Sequence, residues 1–405
     1  MRHSAFRFAA LALLLAGSRA FAQDFSGSLE SGVGWWLQSS DIRPSSQRFE
    51  GKIEGTVGDP TAPSAQYSAQ VRFAYDPATT LTQLALREAW VKAFIGPFDL
   101  SVGNQIVAWG CSDVFTPVDV VNPQDLSLPA EMEKMPVPMG RLVLNGSGFS
   151  LDLVALPYWT AGVLPAARWQ ISSLPTGVVV DSTSVVTNSP AATWENLQYG
   201  GRFSATLGVL QGFDLGLSFF RGINTTPTAT NAVTVVSPGH VTVLVTKNYS
   251  RYSLAGFDAA LAFDGGFLFK TEGSYKVPDG NSWIDPAPGS ATAQGVAGGE
   301  YTIAGVKTIG EFVLDWAKGA AGSDDTWTKT MVLILSAEAG SRLSLKAVGA
   351  WNLDGSGIVS PQASYTLADG LEAELKAFVF LGDAGTRYGA WKDNALGKLS
   401  LKYSF

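Results

Sequence analysis

The chain has 405 residues, with 35 acidic against 28 basic side chains (formal net charge -7), 46% hydrophobic and 16% charged residues, and 44 glycines. An acidic chain of this kind is no partner for nucleic acid, and it is too apolar to stay unstructured after export. One cysteine and two histidines provide neither an internal disulfide nor a structural zinc site, and nothing in the sequence calls for a cofactor or metal.

Residues 1–22, MRHSAFRFAALALLLAGSRAFA, place Arg2 and Arg7 before a short apolar run and close on Ala20-Phe21-Ala22. That pattern predicts a secretory signal peptide cut before Gln23. The run is too short to span a bilayer as a helix. Cys111 lies far from the cleavage site, which excludes a lipoprotein anchor there. No later segment holds about 18 uninterrupted apolar residues, so no transmembrane helix is expected. Residues 23–405 are read as one domain.

Through that domain apolar and polar residues alternate with period two. Residues 48–57 set Arg48, Glu50, Lys52 and Glu54 opposite Phe49, Ile53 and Val57. Charges on one face and aliphatic or aromatic groups on the other suit a wall with lipid outside and water inside. The 12 tryptophans and 11 tyrosines would supply interfacial girdles. Strands are predicted at 25–37, 47–58, 65–75, 82–95, 97–109, 138–145, 148–158, 195–208 and 210–222. They continue at 247–264, 265–277, 299–308, 309–318, 328–340, 341–354, 356–368, 370–382 and 395–405. The long connections all follow odd-numbered strands. The tight turns, at Gly96-Pro97, Asn145-Gly146, Gly265-Gly266, Ile309-Gly310, Gly340-Ser341 and Asp369-Gly370, all follow even-numbered ones. This parity is that of an all-β, antiparallel transmembrane barrel of the bacterial outer membrane. It has about 18 strands, with 16 as the alternative count.

The hairpin 86–110 can be registered from its turn. Ile95 faces Phe98, Lys92 faces Ser101, Trp90 faces Gly103 and Glu88 faces Gln105. Glu88, Lys92 and Gln105 then line the pore, while Val91, Leu100 and Val102 meet lipid. Arg87 and Asn104 fall on the lipid face, at the outer rim. The run Arg87-Glu88-Ala89-Trp90, then Val102-Gly103-x-Gln105-x-Val107-x-Trp109-Gly110, then Asp113, Pro117, Asp119, Asn122-Pro123 and Asp125, resembles porin-like Gram-negative outer-membrane proteins. Most members of that family lack an assigned function. Members carry a basic residue where Asn104 stands, so the family's selectivity is not carried over.

Residues 110–137 follow the fifth predicted strand. Prolines at 117, 123, 129 and 136 stiffen them, and Val114, Phe115, Val118, Val121 and Leu128 need cover from water. The expectation is a loop folded inward against the wall, as the loop after strand five is in general porins; a loop lying on the outer surface is the alternative. Asp113, Asp119, Asp125, Glu131 and Glu133 against Lys134 would give it net negative charge and favour cations. A calcium site at the three aspartates is the weaker reading, because their spacing matches no compact calcium loop.

Farther along, His240 stands in a Ser/Thr/Val-rich stretch with no neighbouring aspartate in sequence to orient it, so it is read as a loop residue and the chain as no enzyme. Arg342, Lys346, Glu372, Glu374 and Lys376 recur at alternate positions and are read as pore lining. The last residues, GKLSLKYSF, end on an aromatic without a tail. This resembles the assembly signal of outer-membrane proteins, with Tyr403 and Phe405 as its aromatic residues. The expected partners are outer-membrane lipid, the barrel-assembly machinery and small solutes. The expected function is passive diffusion of small hydrophilic solutes. Transport of hydrophobic compounds and surface adhesion are the alternatives.

Overall fold

A computed structural model describes residues 21–39, 41–44, 47–59, 61–76, 81–170, 178–208 and 212–405. Nearly all of the predicted signal peptide, residues 1–20, lies outside the described residues. Eighteen strands form one wall. They are β1 (Phe21–Trp36), β2 (Gln47–Asp59), β3 (Ala62–Asp76), β4 (Leu81–Ile95), β5 (Phe98–Gln105) and β6 (Val137–Gly146). Next come β7 (Phe149–Leu156), β8 (Gln198–Leu207), β9 (Phe213–Ile223), β10 (Arg251–Ala262), β11 (Leu268–Pro278) and β12 (Thr292–Ile303). The last are β13 (Val306–Ala317), β14 (Thr326–Ala339), β15 (Leu343–Asn352), β16 (Gly357–Ala368), β17 (Leu371–Leu381) and β18 (Leu396–Ser404). Each pairs antiparallel with its successor. The circle closes where β18 pairs with β1, from Ser28↔Ser404 to Trp36↔Leu396.

Alternation decides which face is which. Along β14, Met331, Leu333 and Leu335 are exposed, while Thr330, Val332 and Ile334 are buried. Leu399, Leu401 and Tyr403 repeat the pattern on β18. An apolar belt left open all round the outside needs lipid cover. Near the long-loop end, Tyr275, Trp316 and Trp327 form an outer aromatic chain, with ring centroids 6.2 and 6.4 Å apart.

Every long connection follows an odd strand, as the parity predicts, although the connections after β3 and β15 are also short. Two turns lie elsewhere than expected. The β12–β13 turn is at Ala304-Gly305, not Ile309-Gly310, and Ile309 and Gly310 are ladder residues of β13. Gly305 and Ala304 both have positive φ (81° and 50°), the conformation a two-residue hairpin turn requires. Gly310 has ordinary strand pairing, so a glycine within an alternating run misled the boundary. The β6–β7 turn is at Ser147-Gly148, two residues past the expected place.

The β4–β5 register is as expected from Ile95↔Phe98 to Trp90↔Gly103 and Ala89↔Asn104. Arg87 is not on the lipid face. Between Ala69↔Ala89 and Val71↔Leu86 a bulge sets two β4 residues, Arg87 and Glu88, against one on β3. The extra residue reverses the alternation, so Leu84 and Leu86 face out and Arg87 turns into the lumen. Gly103, across from Trp90 on the other side of β4, has φ 138°, and a Cβ there would collide with the Ala89 and Trp90 backbone. Asn104 stays outside, but its amide donates to the carbonyls of Arg87 (2.7 Å) and Leu86 (3.3 Å) and so satisfies the bulge.

At the long-loop end, segments expected to be irregular form a second sheet. Val179–Asn188 runs parallel to His240–Asn248, which pairs antiparallel with Thr228–Ser237.

Candidate functional site

β5 leaves the ladder at Gln105, four residues before the expected end, and residues 106–136 turn into the lumen. Asn122 fastens the neck of this loop. Its Oδ1 accepts from Val107 N (2.8 Å), and its Nδ2 donates to the carbonyls of Gln105 (3.0 Å) and Met135 (2.9 Å). One buried amide thus joins the entry and exit strands and satisfies polar groups that burial would otherwise strand. The two-residue ladder Gln124–Asp125 with Glu133–Lys134 stiffens the middle.

Apolar packing seats the loop on two sides of the barrel. Val107, Trp109, Val118 and Val121 are buried against Met139, Val154, Phe220 and Leu254. Phe115 and Leu128 pack against a second cluster that holds Val313, Val332, Ile334 and Phe378. At about 1.5–3 kcal/mol for each large side chain fully buried, this packing makes the loop part of the interior.

Charge fixes its orientation. Glu272 on β11 is 1% exposed and accepts from the backbone of Cys111 (3.0 Å), Ser112 (3.1 Å) and Val118 (2.9 Å). Glu311 on β13 accepts from Asp113 N (2.8 Å), and Asp113 pairs with Lys270 (2.8 Å). Across the lumen Glu131 bridges Lys376 of β17 (2.9 Å) and Lys398 of β18 (2.6 Å). Glu133 meets Arg72 of β3 in two bonds (2.8 and 2.6 Å) and also pairs with Arg87 of β4. Asp119 pairs with Lys134, whose ammonium also donates to Val107 O (3.0 Å). The loop therefore spans the lumen from β11 and β13 to β17, β18, β3 and β4.

Four of the five loop acids expected to give a negative constriction are committed to cations. Among the described residues only Asp125 meets no cation, and it caps Ser127 N (2.9 Å). The loop's acids act first as anchors. Titration follows the partners. Burial raises the Glu131 and Glu133 carboxyls, but Lys398 and Lys376 at one and Arg72 and Arg87 at the other more than offset it, holding both below the usual range. For Asp119 burial wins over Lys134 and the Trp109 amide, and its carboxyl is raised.

The expected pore-lining residues separate. Lys92 is half-buried beside the Trp90 and Phe94 rings (5.6 and 5.9 Å). Glu88 accepts from Trp90 Nε1 (3.1 Å). Gln105 is only 5% exposed, bonded to Ser101 Oγ (2.8 Å) and Met139 O (3.2 Å) under the loop, so it faces inward without meeting the passage. Lys346 and Glu372 are exposed, Glu374 accepts from Gln362 (2.7 Å), and Lys376 holds the loop. Arg342 lies in the short turn before β15, off the wall and at its rim.

The three aspartates do not converge on a shared cation, since Asp113 pairs with Lys270 on the wall and Asp119 with Lys134 in the loop itself. His240 does have an aspartate. Its Nδ1 lies 2.8 Å from Asp181 Oδ1, brought there by the parallel pairing of two loop strands 59 residues apart in sequence. Among the described residues no hydroxyl bonds to the other ring nitrogen.

Glu272, Glu311, Arg72 and Lys398 were missed in sequence. Alternation marks them as inward-facing, but only the docked loop gives them a partner. No protein-family model and no curated protein matches the chain. Among solved structures it is similar to OmpT, an outer membrane protein of Vibrio cholerae, in the in-vitro folded trimer form. The identity is 13% and the TM-score 0.47, over 96% of this chain and 100% of that one. It is also similar to a mutant Rh. blastica porin at 14% identity and TM-score 0.42, over 95% and 100%. The chain's own ladder defines its class: a closed, 18-stranded antiparallel β-barrel of the outer-membrane type, with one loop folded across its lumen.

Proposed function

We propose that this protein is a passive channel for small hydrophilic solutes in the bacterial outer membrane, delivered there after removal of a signal peptide. The observation that carries the reading is the loop 106–136, held across the lumen by ion pairs on opposite walls while charged groups remain along the wall on either side of it. A fixed obstruction between wetted, charged walls restricts passage by size without closing it. The inward apolar groups of β12–β17 are filled by Phe115, Leu128, Trp169 and Trp391, which leaves little open apolar track for a hydrophobic cargo. The His240–Asp181 pair is read as a link between two loop strands, not as catalytic machinery.

Purified barrel in a planar bilayer should give steady open steps. Removing residues 112–135 should raise the step size, with heat-modifiable gel mobility confirming that the shortened barrel is folded. Unchanged conductance in a folded deletion protein would sink the constriction, and no conductance from either form would sink the channel. Adhesion is the second reading. It rests on the sheet beyond the wall, whose edge strand exposes Val233, Val235 and Val236.

A further inference from the structure

We propose that the cavity above the loop, at the long-loop end, is a binding subsite for small hydroxylated carboxylates of the sugar-acid class, with Lys276 as their counter-ion. The site lies in the passage proposed above, but occupancy can be measured without conduction. The cavity has a volume of about 500 Å³, with Thr116, Pro117 and Val120 of the loop as its floor and β10–β14 as its walls. That volume suits a single small solute rather than a polymer.

Lys276 differs from the other cations in or facing the loop. Arg72, Arg87, Lys134, Lys270, Lys376 and Lys398 each meet a carboxylate. The Lys276 ammonium has no such partner among the described residues. It donates to Asn224 Oδ1 (3.3 Å) and sits 5.0 Å from the centre of the Tyr252 ring. An ammonium has three donors, and one neutral acceptor leaves two to be satisfied. A half-buried charge without a counter-ion is costly, and a carboxylate in the cavity would relieve it.

The acids lining the same cavity are already compensated. Asp119 is paired with Lys134, while Asp315 accepts from Gln294 (2.5 Å) and stands 3.7 Å from Arg387. The positive charge is thus the one left for a ligand. Around it, the hydroxyls of Thr225, Thr226, Ser274, Thr292 and Thr328 have no protein partner among the described residues. Unused hydroxyls on a curved wall fit a polyol chain, which both donates and accepts.

The probe is potassium gluconate, with glucose as the neutral control. Gluconate added to the barrel in a chloride electrolyte should reduce the current in a saturable way, and glucose at the same concentration should not. Lys276→Met should weaken the apparent gluconate affinity about tenfold or more, and Lys276→Arg should largely restore it. Titration calorimetry on the detergent-solubilised barrel should give the same order. Equal binding of gluconate and glucose, or a Lys276→Met protein that binds gluconate as tightly as the parent, overturns the site. A barrel that binds gluconate but passes no current overturns the channel reading and leaves the site standing.

Discussion

Glu272 shows how one side chain can hold a loop. Its carboxylate receives three backbone N–H groups from a segment about 160 residues earlier in the chain. Removing it orphans those donors, at about 1–3 kcal/mol for each one left buried and unpaired. A built-in reporter lies beside it. Cys111 donates weakly to the carbonyls of Ala259 and Thr271. Burial, helped by the Glu272 and Asp258 carboxylates, pushes its thiol up to about 11. A thiol so held is nearly unreactive at pH 8, because the thiolate is the nucleophile. Glu272→Ala should speed maleimide labelling of Cys111 at pH 8 by about tenfold or more, and an unchanged rate would show the loop held without this anchor. The β4–β5 register gives a second test at this scale. With Cys111 replaced, a cysteine at Lys92 should react with a small charged thiol reagent, and one at Val102, 61% exposed on the apolar exterior, should not in membranes. A cysteine at Gln105 should stay protected while the loop is in place. Fast labelling at Val102 would invert the faces.

At the scale of elements, the loop's ion pairs set its response to acid. Glu131 and Glu133 have folded pKa values below their unfolded ones, so their contribution is full above the unfolded value, about 4.3. It is lost as pH falls through the lower, folded values. Asp119 works the other way. Its raised carboxyl costs stability at neutral pH, and protonation relieves that cost while weakening the Lys134 contact. The two wall anchors should therefore keep the loop seated at pH 5, with open-step noise growing only below about pH 4. Glu131→Gln with Glu133→Gln should be noisy already at neutral pH. A parent channel whose noise rises between pH 7 and 5 would contradict these anchors. The inward turn of this element was legible beforehand, because prolines and unshielded valines leave a loop nowhere else to bury itself. Its partners were not. A carboxylate at position 131 gives no hint that Lys376 and Lys398 will face it, since that meeting depends on barrel closure. The run from Arg87 to Asp125 drew notice in the sequence for its resemblance alone. Four of its residues fasten the loop: Arg87 on Glu133, Trp109 on Asp152, Asp113 on Lys270 and Asn122 at the neck.

For the whole molecule, closure depends on the pairing of β18 with β1, the contact of longest sequence separation in the wall. It forms only when the first and last strands of the wall are both in place. Phe405 extends that seam beyond the ladder. Its backbone exchanges two hydrogen bonds with Gly27 (2.9 and 3.0 Å), and its ring lies 5.7 Å from Phe25 and 6.1 Å from Tyr403. Gly27 permits the approach, since a Cβ there would meet the Phe405 ring at 2.7 Å. Deleting Phe405 removes both hydrogen bonds and the aromatic contact at the last point of closure, and exposes an edge that can pair with other chains. Net hydrogen bonds of about 1 kcal/mol each and a ring pair of about 0.5–1.5 kcal/mol are small against a whole barrel. A finished barrel should thus tolerate the loss. If the terminal aromatic also serves as the insertion signal, the truncated chain should instead be retained before insertion, with surface protein falling severalfold and the excess recovered from the periplasm. Gly27→Leu separates the two roles, because it crowds the seam and leaves the terminal sequence intact. Lower thermal stability but normal surface levels for Gly27→Leu, with low surface levels for the Phe405 deletion, would assign the terminal residue to insertion. Normal surface levels for both would leave Phe405 a seam residue and discard the signal.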